Sequence, residues 1–236
     1  MKLLIIFSSY AEAKHFLEWL STGKKISSEL ESLFFELPYS LYSYEKEGIL
    51  IDVVIVGQTG FESAFHLGRI LSHKRYHLAL QLGIGISNDD KISFASICNV
   101  INDKPLESGI HQNGALVDLY SAAFLDIAAY PHQLGGLVNK TNAYFNVFLE
   151  FKKVASASLS VLYADDQMKQ NEIKNVYQCH IHTLGGVGFS FACLYAKQSF
   201  YQLRIIVNDR STLSIDVNAA LDKAMPEFIE TIKKIS

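Results

Sequence analysis

Polar side chains that could carry out proton chemistry directly follow two predicted buried strands. Glu12 comes shortly after the apolar run Leu3–Phe7, and Asn208 ends the run Arg204–Val207. A carboxylate and an amide both carry groups that can form hydrogen bonds with a ligand. Because ligands bind where the strands of an α/β sheet end, both residues are candidates for an active site. The alternative for Glu12 is a solvated charge in the first turn of a helix, where the helix dipole stabilises it.

Glycine-rich segments follow other predicted strands. They are Gly57–Gly60, Leu82–Ser87 and Leu184–Phe189. Glycine lets the backbone approach a ligand closely, and a following helix could receive an anion on its free N–H groups. None of these segments is a GxGxxG or a Walker loop, so tight turns and close helix packing explain them equally well.

Alternating strands and helices must position these segments. Continuous or β-branched apolar runs predict the strands Leu3–Phe7, Ser32–Leu37, Ile49–Val56, His77–Gly83, Ala95–Ile101, Ser158–Tyr163 and Tyr201–Val207. Helical spacing predicts a helix through Ala13 and Leu20, and helices over Ser63–Leu71, Tyr144–Val154, Leu184–Ala196 and Asp216–Lys234, the last kinked or split at Pro226. We therefore expect one α/β domain over residues 1–236, a three-layer α/β/α arrangement with a central mixed or barrel-like sheet flanked by helices.

Composition excludes several classes of protein. The 236 residues are 49% hydrophobic and carry 21 basic against 24 acidic side chains, a formal charge of −3. This composition is unlike a disordered chain and supplies no broad cationic face for nucleic acid. No apolar run is long enough to span a membrane, and Cys98, Cys179 and Cys193 are too few and too far apart for a disulfide framework. We expect a soluble cytoplasmic protein. Cys179 lies near His180 and His182, but no second ligand pair supports a metal site.

Five collinear segments resemble the nucleoside phosphorylase/nucleosidase superfamily, and specifically its futalosine hydrolase branch. Tyr76–Ser87 is similar to the family's YDLxINxGIAGS segment, and Ser96–Gly109 to the GSVVNVVxDxxxDLG stretch. Thr183–Leu203 resembles SMEGAAFxYxCLxxGIPFxQ, and Arg204–Asn208 the RxISN that follows. Val54–Leu71 looks like the family's strand, TGxG-type turn and helix, so the resemblance covers nearly the whole chain.

The resemblance implies hydrolysis of the N-glycosidic bond of a purine nucleoside, as in menaquinone biosynthesis, without metal or cofactor. Glu12 stands where the family has the glutamate that activates water. Asn208 stands where methylthioadenosine nucleosidases have an aspartic acid that protonates the base and futalosine hydrolases typically have asparagine. An amide can donate a hydrogen bond but cannot give up a proton. Substrate-binding positions implied in this way are Gly83, Ile84, Gly85, Ile86, Gln167, Met168, Leu184 and Gly185. Family members are commonly dimers, so the resemblance also implies a homodimer.

Two positions depart from the family pattern. Gly185 replaces the glutamate that holds the ribose 2′- and 3′-hydroxyls, and Ile86 stands where a glycine normally lets the substrate approach. A carboxylate from elsewhere could substitute, and Asp165, Asp166 and Asp209 are candidates near predicted strand ends. The sequence therefore supports two hypotheses: a divergent nucleosidase, or a catalytically degenerate homologue that binds a nucleoside or a protein partner without turnover.

Overall fold

Apolar runs form strands and amphipathic segments form helices in a mixed α/β structure. The computed structural model describes residues 1–28, 30, 40–112, 115–133, 135–139, 143–212 and 214–235. The strands within these residues are β1 (Lys2–Phe7), β2 (Lys24–Lys25), β3 (Ser40–Lys46), β4 (Ile49–Ile55), β5 (Leu78–Ser87), β6 (Ile97–Pro105), β7 (Gly109–Gln112), β8 (Ala115–Asp118), β9 (Leu137–Val138), β10 (Lys152–Ser158), β11 (Ile181–Thr183), β12 (Phe200–Ile206), β13 (Asn208–Asp209) and β14 (Ser214–Ile215). The helices are α1 (Tyr10–Leu20), α2 (Gly60–His73), α3 (Gln167–Asn175), α4 (Gly186–Tyr195) and α5 (Val217–Lys233), and a 3₁₀ segment spans Ala143–Glu150.

The main sheet closes partly on itself. Its strand order is β11-β10-β6-β12-β5-β1-β4-β3-β2, with β9 paired to β6. Because β11 also pairs with β5, the strands β5, β12, β6, β10 and β11 form a five-stranded barrel-like ring. Parallel pairs such as β1–β5 and β5–β12 stand beside the antiparallel pair β12–β6. The predicted mixed, barrel-like sheet flanked by helices is therefore confirmed.

Helices cover both faces of the sheet. Along β1, Leu3 and Ile5 pack into a core cluster with residues of α1 and α5, whereas Leu4 and Ile6 pack into a second cluster with α2 and α4. A strand buried on both faces needs a continuous apolar run, which is the pattern of β1. The ends of the parallel strands β1, β5 and β12 are thereby held at one edge between two helical layers.

The region from residue 143 to residue 163 differs from the sequence prediction. The helix predicted over Tyr144–Val154 is a 3₁₀ segment that ends at Glu150, and the strand predicted over Ser158–Tyr163 ends, rather than begins, at Ser158. The helix was predicted because apolar residues at helical spacing continue into β10. In the structure, β10 is a strand that pairs with β6 along its whole length. The serines of β10 hide its strand character in the sequence, because their polar side chains are buried in the fold.

Other predicted elements agree within a few residues. Ser9 caps α1 as expected, and α4 and β12 begin and end close to the predicted bounds. α5 continues through Pro226 as one helix, so of the two predicted alternatives the split does not occur. The strand predicted over Ser32–Leu37 lies outside the described residues. Among the described residues, no helix combines the length and the hydrophobicity that crossing a membrane requires.

Candidate functional site

Glu12 lies in the first turn of α1, where the helix start holds its carboxylate against the end of β1. Its Oε2 accepts a hydrogen bond of 2.9 Å from the backbone N–H of Ser8, and Glu12 is only 4% exposed. Burial raises the pKa of this carboxyl group, whereas the N–H groups of Ser8 and Ile84 and the charge of Arg204 lower it. The predicted base is therefore a buried carboxylate, not the solvated helix charge that the sequence also allowed.

Arg204 provides the charge that faces Glu12. It projects from β12, is 1% exposed, and donates from Nη2 to Oε1 of Gln81 at 2.6 Å. Two glycines leave the room that its guanidinium occupies: a Cβ on Gly83 would lie 2.5 Å from Nη1, and a Cβ on Gly186 would lie 3.0 Å from Nη2. These glycines are required for the close approach of a buried side chain.

Asp103 faces Arg204 from β6. Its carboxylate accepts hydrogen bonds from Nε2 of Gln202 at 2.7 Å and from Oγ of Ser158 at 3.0 Å. Complete burial raises the pKa of Asp103 to about 6, although these donors and Arg204 oppose the rise. Ser158 Oγ also accepts from the backbone N–H of Val187 at 2.8 Å, which ties the first turn of α4 to the cluster.

The guanidinium of Arg204 interacts electrostatically with two buried carboxylates. The charge of Arg204 interacts with both Asp103 and Glu12, and burial lowers the pKa of Arg204. Buried charges persist only when they are paired and hydrogen-bonded, so the three side chains depend on one another. A carboxylate whose pKa is raised by burial, but which a neighbouring cation keeps ionisable, suits general-base chemistry near neutral pH.

Asn208 is anchored to the end of β5. Its Oδ1 accepts from the backbone N–H of Ser87 at 2.7 Å, and its Nδ2 donates to the Ser87 carbonyl at 3.1 Å. The residue is 1% exposed and borders a cavity of about 530 Å³ that Ile92, Arg210 and Lys223 also line. An amide has two N–H donors and two acceptor sites, so one of each remains after this pairing. The Asn208 side chain is thus held by Ser87 and keeps one N–H donor that is not engaged in this pairing.

The glycine-rich segment after the predicted β5 is itself part of the strand. Gly83, Ile84, Gly85 and Ile86 all belong to β5, which continues to Ser87, so the predicted loop over Leu82–Ser87 is wrong. Pairing with β12 on one side and β11 on the other extends the strand past its glycines. Ile86 is completely buried in the core cluster on the α1 and α5 side. Glu12 and Asn208 therefore meet the same strand, one near Ile84 and one at Ser87.

Gly185 is the N-cap of α4 and follows the half-buried Leu184. Its φ is +66°, in the left-handed region that favours glycine, and a Cβ would lie 2.6 Å from the carbonyl oxygen of Gln58. A glutamate at this position would be strained by its backbone and would also collide with the chain before α2. The packing of α4 against the chain before α2 therefore excludes a glutamate at this position.

Other predicted substrate contacts lie away from the buried cluster. Gln167 and Met168 are exposed in the first turn of α3, and their role stays a prediction. Asp166 caps that helix by accepting from the Lys169 N–H, and Asp209 accepts from Ser211 in a turn. These two aspartates are therefore held by local contacts, which weakens their candidacy as replacements for the glutamate.

Sequence reasoning missed the importance of Arg204, Asp103 and Gln202. Arg204 and Gln202 alternate with apolar residues in β12. Polar side chains on one face of a buried strand are unusual, and this pattern could have indicated their importance. Which groups pair with them depends on β6 and α1, which are distant in sequence. No group of three or more metal-ligating side chains occurs in the part of the chain that the structure describes.

Comparison with solved structures relates this fold to known enzymes. The 5′-methylthioadenosine/S-adenosylhomocysteine nucleosidase of Campylobacter jejuni is 12% identical, with a TM-score of 0.77 and coverage of 100% of this chain and 98% of that one. The futalosine hydrolase of Helicobacter pylori is 15% identical, with a TM-score of 0.74 and coverage of 100% and 97%. The Colwellia psychrerythraea methylthioadenosine nucleosidase, solved with adenine, is 13% identical, with a TM-score of 0.73 and coverage of 100% and 96%.

The chain has the nucleosidase fold. No family model and no curated protein matches its sequence. At identities of 12–15%, the likeness concerns the path of the chain from end to end. The resemblance that five short segments suggested is thus supported by three-dimensional structure, whereas the roles of individual residues must be argued from the site itself.

Proposed function

We propose that this protein is a purine-nucleoside N-glycosidase of the futalosine hydrolase type, acting in the cytoplasm in menaquinone biosynthesis as one domain over residues 1–236. It would use no metal or cofactor. The observation that carries the proposal is the buried Glu12 facing Arg204 at the edge of a nucleosidase-type sheet. The similar solved structures include both methylthioadenosine nucleosidases and a futalosine hydrolase.

Glu12 is the proposed general base. Cleavage of a glycosidic bond passes through a ribosyl cation with oxocarbenium character, and the attacking water must lose a proton to a positioned carboxylate. The Nε of Arg204 and the Oγ1 of Thr183 are buried without a hydrogen-bond partner among the described residues. Gly85 lies against both side chains. An ordered water could satisfy these two buried groups.

Asn208 is the proposed contact to the departing purine. Its amide is fixed by Ser87 and retains one N–H, which can donate to a ring nitrogen or to an exocyclic oxygen. Because an amide cannot supply a proton, the base would leave with hydrogen-bond stabilisation from Asn208 and take its proton from solvent. This favours purines that are good leaving groups without prior protonation.

The proposal is tested by purine release. The wild-type protein is incubated with futalosine, methylthioadenosine, inosine and adenosine, and the free base is quantified by chromatography. We expect release from at least one nucleoside, and a loss of roughly 10²- to 10⁴-fold in Glu12→Gln, the range typical of a general base. Glu18→Gln, an exposed glutamate on the same helix, is the matched control. Full activity in Glu12→Gln would contradict the assignment of the base.

Gly185 favours the alternative of a nucleoside-binding protein without turnover. The carboxylate that would hold the ribose hydroxyls is absent there, and the packing against Gln58 excludes it. Nucleoside binding measured by calorimetry, with no base released over long incubation, would support this alternative over the hydrolase.

We further propose a homodimer formed through α2 and α4. Phe61 and Phe65 of α2 and Tyr195 of α4 are exposed, and an apolar groove of about 330 Å³ runs between the two helices. Exposed aromatic residues of this kind are enriched at protein interfaces. Sedimentation should give the mass of two chains, and Phe65→Glu should shift it toward one. A monomeric wild type at micromolar concentration would contradict the dimer.

A further inference from the structure

The carboxylate of Glu107 has no hydrogen-bond or ion-pair partner among the described residues. Glu107 follows β6 in the chain, and partial burial alone raises the pKa of its carboxyl group. Its oxygens reach the start of α2, where a Cβ on Gly60 would lie 2.9 Å from Oε1 and 3.3 Å from Oε2. An unpaired carboxylate that is partly removed from water gains most from a ligand that donates hydrogen bonds.

The carboxylate of Glu107 lies close to the position where the glutamate is missing. A Cβ on Gly185 would lie 3.3 Å from the carbonyl carbon of Thr59, the residue bonded directly to Gly60. The same Gly60 Cβ position lies 3.3 Å from Cγ1 of Val187, two residues after Gly185. Glu107 therefore reaches the junction of α2 and α4, where the side chain of a residue at position 185 would also lie.

Glu107 also belongs electrostatically to the buried cluster. Its charge raises the pKa of Asp103, which in turn interacts with Arg204, and Arg204 interacts with Glu12. Glu107 is the exposed end of this series, whereas the other three are buried.

We propose that Glu107 supplies the carboxylate that accepts hydrogen bonds from the 2′- and 3′-hydroxyls of the ribose. The inference rests on the proposed nucleosidase site and names a residue of that site. Vicinal hydroxyls suit a carboxylate, because each oxygen can accept one hydrogen bond. Glu62, the other carboxylate near the start of α2, is occupied by Thr59 in a capping box and is not free for this role.

Calorimetry in a background that prevents turnover tests the proposal. In Glu12→Gln protein, binding of inosine, 2′,3′-dideoxyinosine and hypoxanthine is compared with and without Glu107→Gln. We expect inosine to bind roughly 10- to 100-fold more tightly than the dideoxy analogue, the range for hydrogen bonds to a charged group, and Glu107→Gln to abolish this preference. Hypoxanthine affinity should not change. Glu227→Gln, an exposed glutamate on α5, is the matched control and should keep the preference.

The outcomes separate the inference from the function on which it rests. A preference for the diol that survives in Glu107→Gln, or no preference at all with hypoxanthine still bound, overturns the role of Glu107 and leaves the purine site standing. Failure of the base and both nucleosides to bind overturns the proposed function as well. Partial recovery of the preference in Glu107→Asp, compared with Glu107→Gln, would support a carboxylate contact over a steric effect. The unfolding midpoint of each variant shows that the fold is retained.

Discussion

The two ends of the charged series differ in how completely the fold satisfies them. At the buried end, Arg204 contacts Gln81 and lies between two glycines, and Asp103 accepts two hydrogen bonds from side chains. At the exposed end, Glu107 has no partner among the described residues, and Gly185 has no side chain. The buried end is held by contacts within the chain, whereas the carboxylate of Glu107 has no such contact among the described residues.

This difference suggests which part of the site can diverge. A buried charge that loses its partner is costly, so the effects of changing Glu12, Arg204 and Asp103 depend on one another. Substitutions that remove an exposed carboxylate at one position and introduce one at another have little effect on the free energy of folding. The proposed site could in this way keep its base while its sugar contact changes position.

The largest effect is expected from removing the central cation. Arg204→Met should lower the free energy of unfolding by about 3–5 kcal/mol, because it leaves two buried carboxylates without their shared partner. Urea unfolding followed by circular dichroism measures the change. Lys169→Met breaks a partly exposed ion pair with Glu172 and should cost less than about 1 kcal/mol. Similar losses in the two variants would mean that the buried cluster is not mutually dependent.

A smaller effect concerns pH. The pKa of Asp103 is about 6 in the folded protein, above roughly 3.9 for an unfolded aspartate. Between these two pKa values Asp103 is protonated in the folded state but ionised in the unfolded state. The free energy of unfolding therefore falls as the pH rises from about 4 to about 6, and Asp103 contributes up to roughly 3 kcal/mol of this fall. Asp103→Asn cannot titrate and should flatten that decline. Exposed Asp165 is the control, because Asp165→Asn should leave the slope as in the wild type.

Unfolding free energies measured at intervals from pH 4 to pH 7 give the two slopes. If wild type and Asp103→Asn decline in parallel, Asp103 is not the titrating group.

The sheet and its helices could be predicted because β1, β4 and β12 are apolar runs and α1 has a clear cap and stripe. The prediction failed over β10, where buried serines interrupt the strand pattern and helical spacing of aromatic residues precedes it. It also ended β5 too early, because glycines that usually mark a turn here make room for Arg204. Local pattern was overridden in both places by pairing with distant strands.

The candidate site was only partly accessible from the sequence. Glu12 and Asn208 stand out because polar residues directly follow apolar runs. Asp103 and Arg204 can be recognised as site residues only once β6 and β12 are known to be neighbours. Glu107 can be recognised only once the turn after β6 is known to contact the start of α2. Burial, pairing and the absence of a partner are properties of the folded chain, so no spacing rule could supply them.

The smallest difference, between substitutions at two glycines, tests whether the absence of a side chain at residue 185 is structural. Gly48 has a φ of +76° with open space around its Cβ position, whereas Gly185 has a φ of +66° and meets a backbone oxygen at 2.6 Å. Gly48→Ala should therefore cost about 1–2 kcal/mol for the left-handed backbone alone. Gly185→Ala should cost about 1–3 kcal/mol more, because the carbonyl of Gln58 cannot move without shifting α2. Both values come from urea unfolding of single variants. If the two substitutions cost the same, the junction of α2 and α4 can yield to a side chain, and Gly185→Glu becomes a direct way to restore a second carboxylate beside Glu107. If Gly185→Ala costs more, the packing of α4 on α2 itself keeps that position bare, and a sugar contact must come from another part of the chain.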